Sequence, residues 1–142
     1  MAITLDHTIV PAHDKVASAK FFAKMFGLIY DCPMGPFAPV QINETLTFDF
    51  DDRRERFEVH HYAFHASDKE FDAIFGRVKE AGLHYGSQPW TPEDMQVRIV
   101  SDGRIVFFRD LDNHLLELRT MTSRREAANI ASETAADRHN QA

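Results

Sequence analysis

The chain has 142 residues, 44% hydrophobic and 27% charged, with a net charge of −6 and a pI near 5.7. That acidity repels phosphate backbones and excludes a general nucleic-acid binder, and no apolar run approaches the roughly 18–20 residues of a membrane span. The lone Cys32 excludes an internal disulfide framework. The start "MAITLDHTIV" lacks a signal peptide's basic end and long apolar core, so the expected compartment is the cytoplasm.

The first predicted element is a strand, "ITLDHTIV" (3–10), alternating and rich in β-branched residues. "HDKVASAKFFAKMFG" (13–27) follows as a helix. Asp14 caps it, Val16, Ala19, Phe22, Ala23 and Phe26 recur at helical spacing, and Gly27 ends it. "LIYDC" (28–32) reads as a short strand and "PMGPFAP" (33–39) as a loop or edge. "VQIN" (40–43) and "TLTFDFD" (45–51) are two further strands with a turn at Glu44, and "DDRRER" (51–56) is a solvated linker.

The order β-α-β-β-β then recurs. "FEVHHYAFHA" (57–66) is a strand. "SDKEFDAIFGRVKEAG" (67–82) is a helix capped by Ser67 or Asp68, with Phe71, Ile74, Phe75 and Val78 on one face. "LHY" (83–85) begins a strand and "GSQPWTPED" (86–94) is a loop. "MQVRIVSDGRIVFFRD" (95–110) is a hairpin turning at Asp102-Gly103, and after "DLDN" comes the last strand, "HLLELRT" (114–120). These elements make one domain over 1–120, with modules at 3–51 and 57–120. The polar tail 121–142 reads as a frayed helix or disordered.

The recurrence holds residue by residue. At a spacing of 54, His7 falls on His61, Ala12-His13-Asp14-Lys15 on Ala66-Ser67-Asp68-Lys69, and Phe21 on Phe75. A duplicated unit of this length exposes one face of a short sheet, and two such faces can enclose a cavity. Strand alternation puts Leu5, His7 and Ile9 on one face, Val59, His61, Ala63 and His65 on another, and Leu115, Glu117 and Arg119 on a third. The repeat makes His7 and His61 equivalent. Glu117 lies mid-strand between leucines, where an unpaired carboxylate is costly. Two imidazoles and a carboxylate from three strands suit one divalent metal per site: Fe, Mn, Zn, Ni or Co.

Three segments, "LDHTIV", "HHYAF" and "VFFRDLDNHLLEL", resemble the metal strands and closing turn of the vicinal oxygen chelate (VOC) superfamily. That superfamily includes glyoxalase I, fosfomycin-resistance thiol transferases, extradiol dioxygenases, methylmalonyl-CoA epimerase and bleomycin-resistance proteins. The resemblance covers residues 3–120. It implies an α+β fold of paired βαβββ modules forming a curved mixed sheet around a cavity, the glyoxalase/bleomycin resistance/dihydroxybiphenyl dioxygenase fold. It implies His7, His61 and Glu117 as metal ligands, with Asp49 of "TFDF" in the place of glyoxalase I's fourth, acidic ligand. Leu111 and Asn113 replace the proline and glycine usual in the closing turn. Phe108 stands where the extradiol dioxygenases have a tyrosine, and positions 96–107 lack their upstream histidine.

The remaining candidates carry two readings each. His65 shares the inward face of its strand and either lines the pocket or transfers a proton; Asp49 is either solvated or capping, or a second proton-transfer candidate. Arg119 either pairs with an acid or grips an anionic substrate group. The 86–95 loop is a surface loop, or a lid with Trp90 as an aromatic wall. His60, on the opposite face, belongs to packing or to an interface. The expected function is a divalent-metal enzyme acting on a small molecule chelated through neighbouring oxygens, by glyoxalase-like lyase, isomerase or transferase chemistry or by dioxygenase-type chemistry. The alternative is a metal-free protein that sequesters an aromatic or drug-like ligand, as bleomycin-resistance proteins do. The resemblance also implies a homodimer whose sites are shared between chains: His7 from one, His61 and Glu117 from the other.

Overall fold

The strands His7–Pro11 (β1) and His61–His65 (β4) begin 54 residues apart, and a helix follows each: Lys15–Phe26 (α1) and Asp68–Glu80 (α2). The computed structural model describes residues 3–140. Asp14 caps α1 by accepting the Ala17 N–H at 3.1 Å, and Gly27 closes it in the left-handed conformation at φ 70°. Ser67 and Glu70 form a reciprocal capping box at the start of α2. The first module continues with Ala38–Gln41 (β2) and Thr47–Asp51 (β3). The second continues with Tyr85–Gly86 (β5), Arg98–Val100 (β6), Gly103–Arg109 (β7) and Leu115–Arg119 (β8), and Ser123–Asn140 (α3) follows.

The pairing is mixed in both modules. The first sheet runs β1-β3-β2; the second runs β4-β8-β7-β5, with β6 also on β7. β1 lies parallel to β3 and β4 parallel to β8, and the other ladders are antiparallel. This is the expected α+β architecture, with the two sheets as separate ladders within the chain.

Two local expectations fail. Residues 28–32 form no strand. Their alternation is real, since Leu28 and Tyr30 lie half-buried against the core. Alternation records burial, however, and a segment running into Pro33 and Pro36 has few donors to give a ladder. The hairpin turn is Ser101-Asp102, because Val100 pairs with Gly103. Gly103 is needed for close approach: a Cβ there would lie 2.5 Å from Thr120 Oγ1, which accepts the Arg104 N–H. The tail is an 18-residue helix along most of its length. Among the described residues no helix is long and apolar enough to cross a membrane.

The alternation of the strands decides where the core sits. Val10, Phe48 and Phe50 point to the buried face of the first sheet, against Phe22 of α1. Phe64, Phe108 and Leu116 point to the buried face of the second. These two faces meet: the Phe64 ring lies 5.6 Å from Phe22 and 5.8 Å from Phe48. The opposite face of each sheet is left for the site.

A polar clamp also ties the modules. Asp112, in the turn before β8, accepts from the His13 N–H at 2.8 Å and from Ser18 Oγ at 2.6 Å. His114 accepts the His60 N–H at Nδ1 (2.8 Å), so its Nε2 carries the proton and donates it to the Pro11 carbonyl at 2.6 Å. Asp110 Oδ1 accepts the N–H groups of Asp112 and His114. Burial pushes the Asp110 carboxyl up to about 6, against the opposing pull of His114. The unfolded chain releases that proton near pH 4, so stability falls as pH rises from about 4 to about 6. Asp110→Asn keeps the acceptor and removes the ionisation. Its denaturant midpoint should therefore decline less than the wild type's between pH 4 and 7; an equal decline would discard this origin.

Candidate metal centre

β4 and β8 place His61 and Glu117 side by side on the face of the second sheet turned away from the shared core. The parallel register sets His61 opposite Leu115 and Ala63 opposite Glu117. His61 Nε2 stands 3.1 Å from Glu117 Oε1, and His61 Nδ1 lies 3.1 Å from the Leu115 carbonyl. A carbonyl only accepts, so Nδ1 carries a proton; Nε2 meets the carboxylate either as the second N–H of an imidazolium or, once that proton is lost, with a lone pair free for a cation. Arg119 Nη1 holds the other Glu117 oxygen at 3.1 Å. Glu117 and Arg119 are each only 8% exposed, which makes their pairing necessary. Phe107 lies opposite Glu117 in the β7–β8 ladder and faces the His61 ring at 6.3 Å.

The first module repeats this arrangement. Ile9 is opposite Asp49 as Ala63 is opposite Glu117, so His7 and Asp49 occupy the places of His61 and Glu117. His7 Nδ1 lies 2.7 Å from Asp6 Oδ2, and that hydrogen bond chiefly raises its pKa. Burial raises the Asp49 carboxyl, and the charge of His7 opposes the shift. Both line an open cavity of about 1060 Å³, with Phe37, Pro39, Gln41 and Thr47. These two half-sites lie on the faces turned away from the shared core. Among the described residues, the ligand atoms of His7, His61 and Glu117 do not gather within 4.8 Å.

The group that does gather is Asp110, Asp112 and His114. Both ring nitrogens of His114 are committed to protein groups, as are both oxygens of Asp112. Their chemistry is that of the clamp, with no lone pair left on the imidazole for an ion.

The other candidates are placed as follows. His65 is exposed at the end of β4, opposite Arg119 in the ladder. His60 packs with the clamp: its Nδ1 accepts from the Tyr62 hydroxyl at 2.5 Å, and burial pushes that phenol up to about 12. Trp90 is 76% exposed. Its loop is tied by Asp94, which accepts the N–H groups of Ser87 and Gln96, each at 3.0 Å. Gly86 at the loop's base would meet the Thr91 carbonyl at 2.0 Å if it carried a Cβ. Gly86→Ala should therefore displace the 86–95 segment, seen as faster protease cleavage there; unchanged cleavage would count against it.

Sequence reasoning missed Arg98 and Glu126. Arg119 Nη2 is bonded to Glu126 Oε2, and Arg98 Nη2 lies 3.7 Å from Glu126 Oε1. Arg98 lay in a predicted strand and Glu126 in a polar tail, and no local pattern joins the two.

No family model matches the chain. Over 74 residues it is 31% identical to the metallothiol transferase FosB of Shouchella clausii (strain KSM-K16), a match spanning 52% of this chain and about half, 47%, of that protein. Among solved structures, the oxidase ChaP-H2 is 42% identical with a TM-score of 0.81, and the match covers 86% of this chain and 96% of that one. A glyoxalase/dioxygenase from Nostoc punctiforme shares the fold at 19% identity and a TM-score of 0.61, over 82% of this chain and 89% of its own. Two modules of the same order, with a histidine and an acid in matching register, and a likeness to an oxidase along nearly its whole length lead to one assignment: the chain belongs to the vicinal oxygen chelate superfamily.

Proposed function

We propose that this chain is a divalent-metal enzyme that oxidises a small molecule bound through two neighbouring oxygens, with molecular oxygen as the electron acceptor. The observation that carries the reading is His61 Nε2 standing 3.1 Å from Glu117 Oε1, with Nδ1 turned to the Leu115 carbonyl. Two ligands each about 2.1 Å from one ion, at right angles, stand about 3 Å apart. The donor set therefore fits an ion held by His61, Glu117 and His7, and Fe, Mn, Zn, Ni and Co all accept imidazole and carboxylate. When bound, the ion would polarise the substrate's oxygens and stabilise the anion that develops on them. Arg119 occupies one carboxylate oxygen and leaves the other for the ion. The choice of oxidation over the superfamily's other chemistries rests on the 42% identity to an oxidase. The FosB relative, a metallothiol transferase by name, supports the metal.

The site is completed by a second copy of the chain in this reading. His7 and Asp49 of one protomer would face His61 and Glu117 of its partner, giving a two-fold dimer with two equivalent sites. Support comes from the separation of the half-sites on faces that both point away from the core. Mixing His7→Ala chains with Glu117→Ala chains tests it. Exchanged dimers should regain one intact site and about one metal per dimer. Metal-poor mixtures after proven exchange, or a monomer by light scattering at micromolar concentration, would overturn the shared site.

Asp49 and His65 are the proton-transfer candidates. Loss of metal in Asp49→Ala marks a ligand, and loss of turnover with metal retained marks a base. For His65→Ala, turnover of an identified substrate should fall at unchanged metal content. Unaltered turnover in both variants removes them from the chemistry.

A further inference from the structure

We propose that Arg98 and Arg119 form a subsite for the carboxylate of a small acid beside Glu117, and that the Glu126 carboxylate holds the place of that ligand. Arg98 comes from β6 and Arg119 from β8, and both guanidinium groups converge on Glu126 of α3. Arg119 is nearly buried and Arg98 only partly exposed, and two cations brought together there are stabilised by an anion between them. A planar carboxylate, offering one oxygen to each guanidinium, is the geometry that arginine recognises best. The Nε atoms of Arg98 and Arg119 are both buried without a hydrogen-bond partner. The pair therefore holds donors that Glu126 does not satisfy, and Arg119 is only 8% exposed.

Apart from the Glu126 ion pairs, the helix is held by exposed contacts. The apolar residue Ile130 of α3 is 56% exposed. Beyond Glu126, the helix is tied through Asp102, which accepts from Asn129 Nδ2 at 2.7 Å and lies 3.6 Å from Arg125. Exposed polar contacts of this kind contribute little. A cavity of about 240 Å³ beside the helix is lined by Val100, Met121, Glu126 and Ile130 among others, so Glu126 borders open space. Arg119 also contacts Glu117, so an acid bound there would sit one guanidinium away from the proposed metal ligand. The substrate class that follows is a small carboxylic acid whose neighbouring oxygens reach the metal. That last step alone rests on the proposed metal reading.

The test uses benzoate, with neutral benzamide as control, titrated calorimetrically into full-length protein stripped of metal by a chelator. Glu126→Ala and Glu126→Gln should each bind benzoate at least tenfold tighter than the wild type, with benzamide unaffected. Adding Arg98→Met to Glu126→Ala should abolish the gain. Benzoate affinity unchanged in both single variants, each folded by circular dichroism, would overturn the proposal. So would a gain that survives Arg98→Met, or one that benzamide shares. Metal content is measured separately, before stripping. A metal-free wild type would sink the metalloenzyme reading and leave the arginine subsite standing.

Discussion

Replacing His61 with alanine should lower the divalent-metal content of the purified protein at least tenfold. His61 is one of three proposed protein ligands, and its Nδ1–H is already committed to the Leu115 carbonyl, so Nε2 alone can serve an ion. Loss of one ligand from a set this small removes a coordination bond and the orientation it imposed on Glu117. Glu117 would then fall back on Arg119, a partner at 3.1 Å that persists without any ion. The fold should survive, because the His61 side chain is about half exposed and lies on the face opposite the aromatic core. Elemental analysis with circular dichroism separates the two effects. Full stoichiometric metal in the triple variant His7→Ala, His61→Ala, Glu117→Ala would end the assignment of all three.

Asp112→Ala should lower unfolding free energy by about 3 kcal/mol, a large part of the roughly 5–15 kcal/mol typical of a domain. The carboxylate is 4% exposed and accepts from two donors of the first module, the His13 N–H and the Ser18 hydroxyl. Hydrogen bonds to a charged group contribute about 1.5–3 kcal/mol each, and truncation leaves both donors without their partner. Asp112→Asn keeps one oxygen and should lose about 1 kcal/mol. Denaturant titration measures both. A loss below about 1 kcal/mol in Asp112→Ala would mean that the aromatic contacts of Phe22, Phe48 and Phe64 hold the modules without the clamp. Metal content in a folded Asp112→Ala protein should stay at the wild-type level, since these groups are spent on the clamp.

The sequence by itself determined the elements whose causes are local. The capped ends of α1 and α2, the alternation of β1, β4 and β8, and the spacing of 54 between His7 and His61 all follow from side chains a few residues apart or from direct repetition. The matching of "TFDF" to "LLEL" likewise anticipated the shared register of Asp49 and Glu117. Where a local pattern had two causes, it misled. Leu28 and Tyr30 alternate because they cover the core, and Gly103 is present because Thr120 approaches it. Only the tertiary structure decided which residues meet across the chain. His114 reaches the Pro11 carbonyl from 103 residues away, and Asp112 reaches Ser18 from 94. Arg98 and Arg119 meet Glu126 because a polar helix folds back onto a strand whose open face no pattern had assigned to it. The turning of the two half-sites away from each other has the same origin. Phe22, Phe48 and Phe64 bury their rings together, and alternation then sends His7 and His61 to the opposite faces, where the chain alone brings no third ligand.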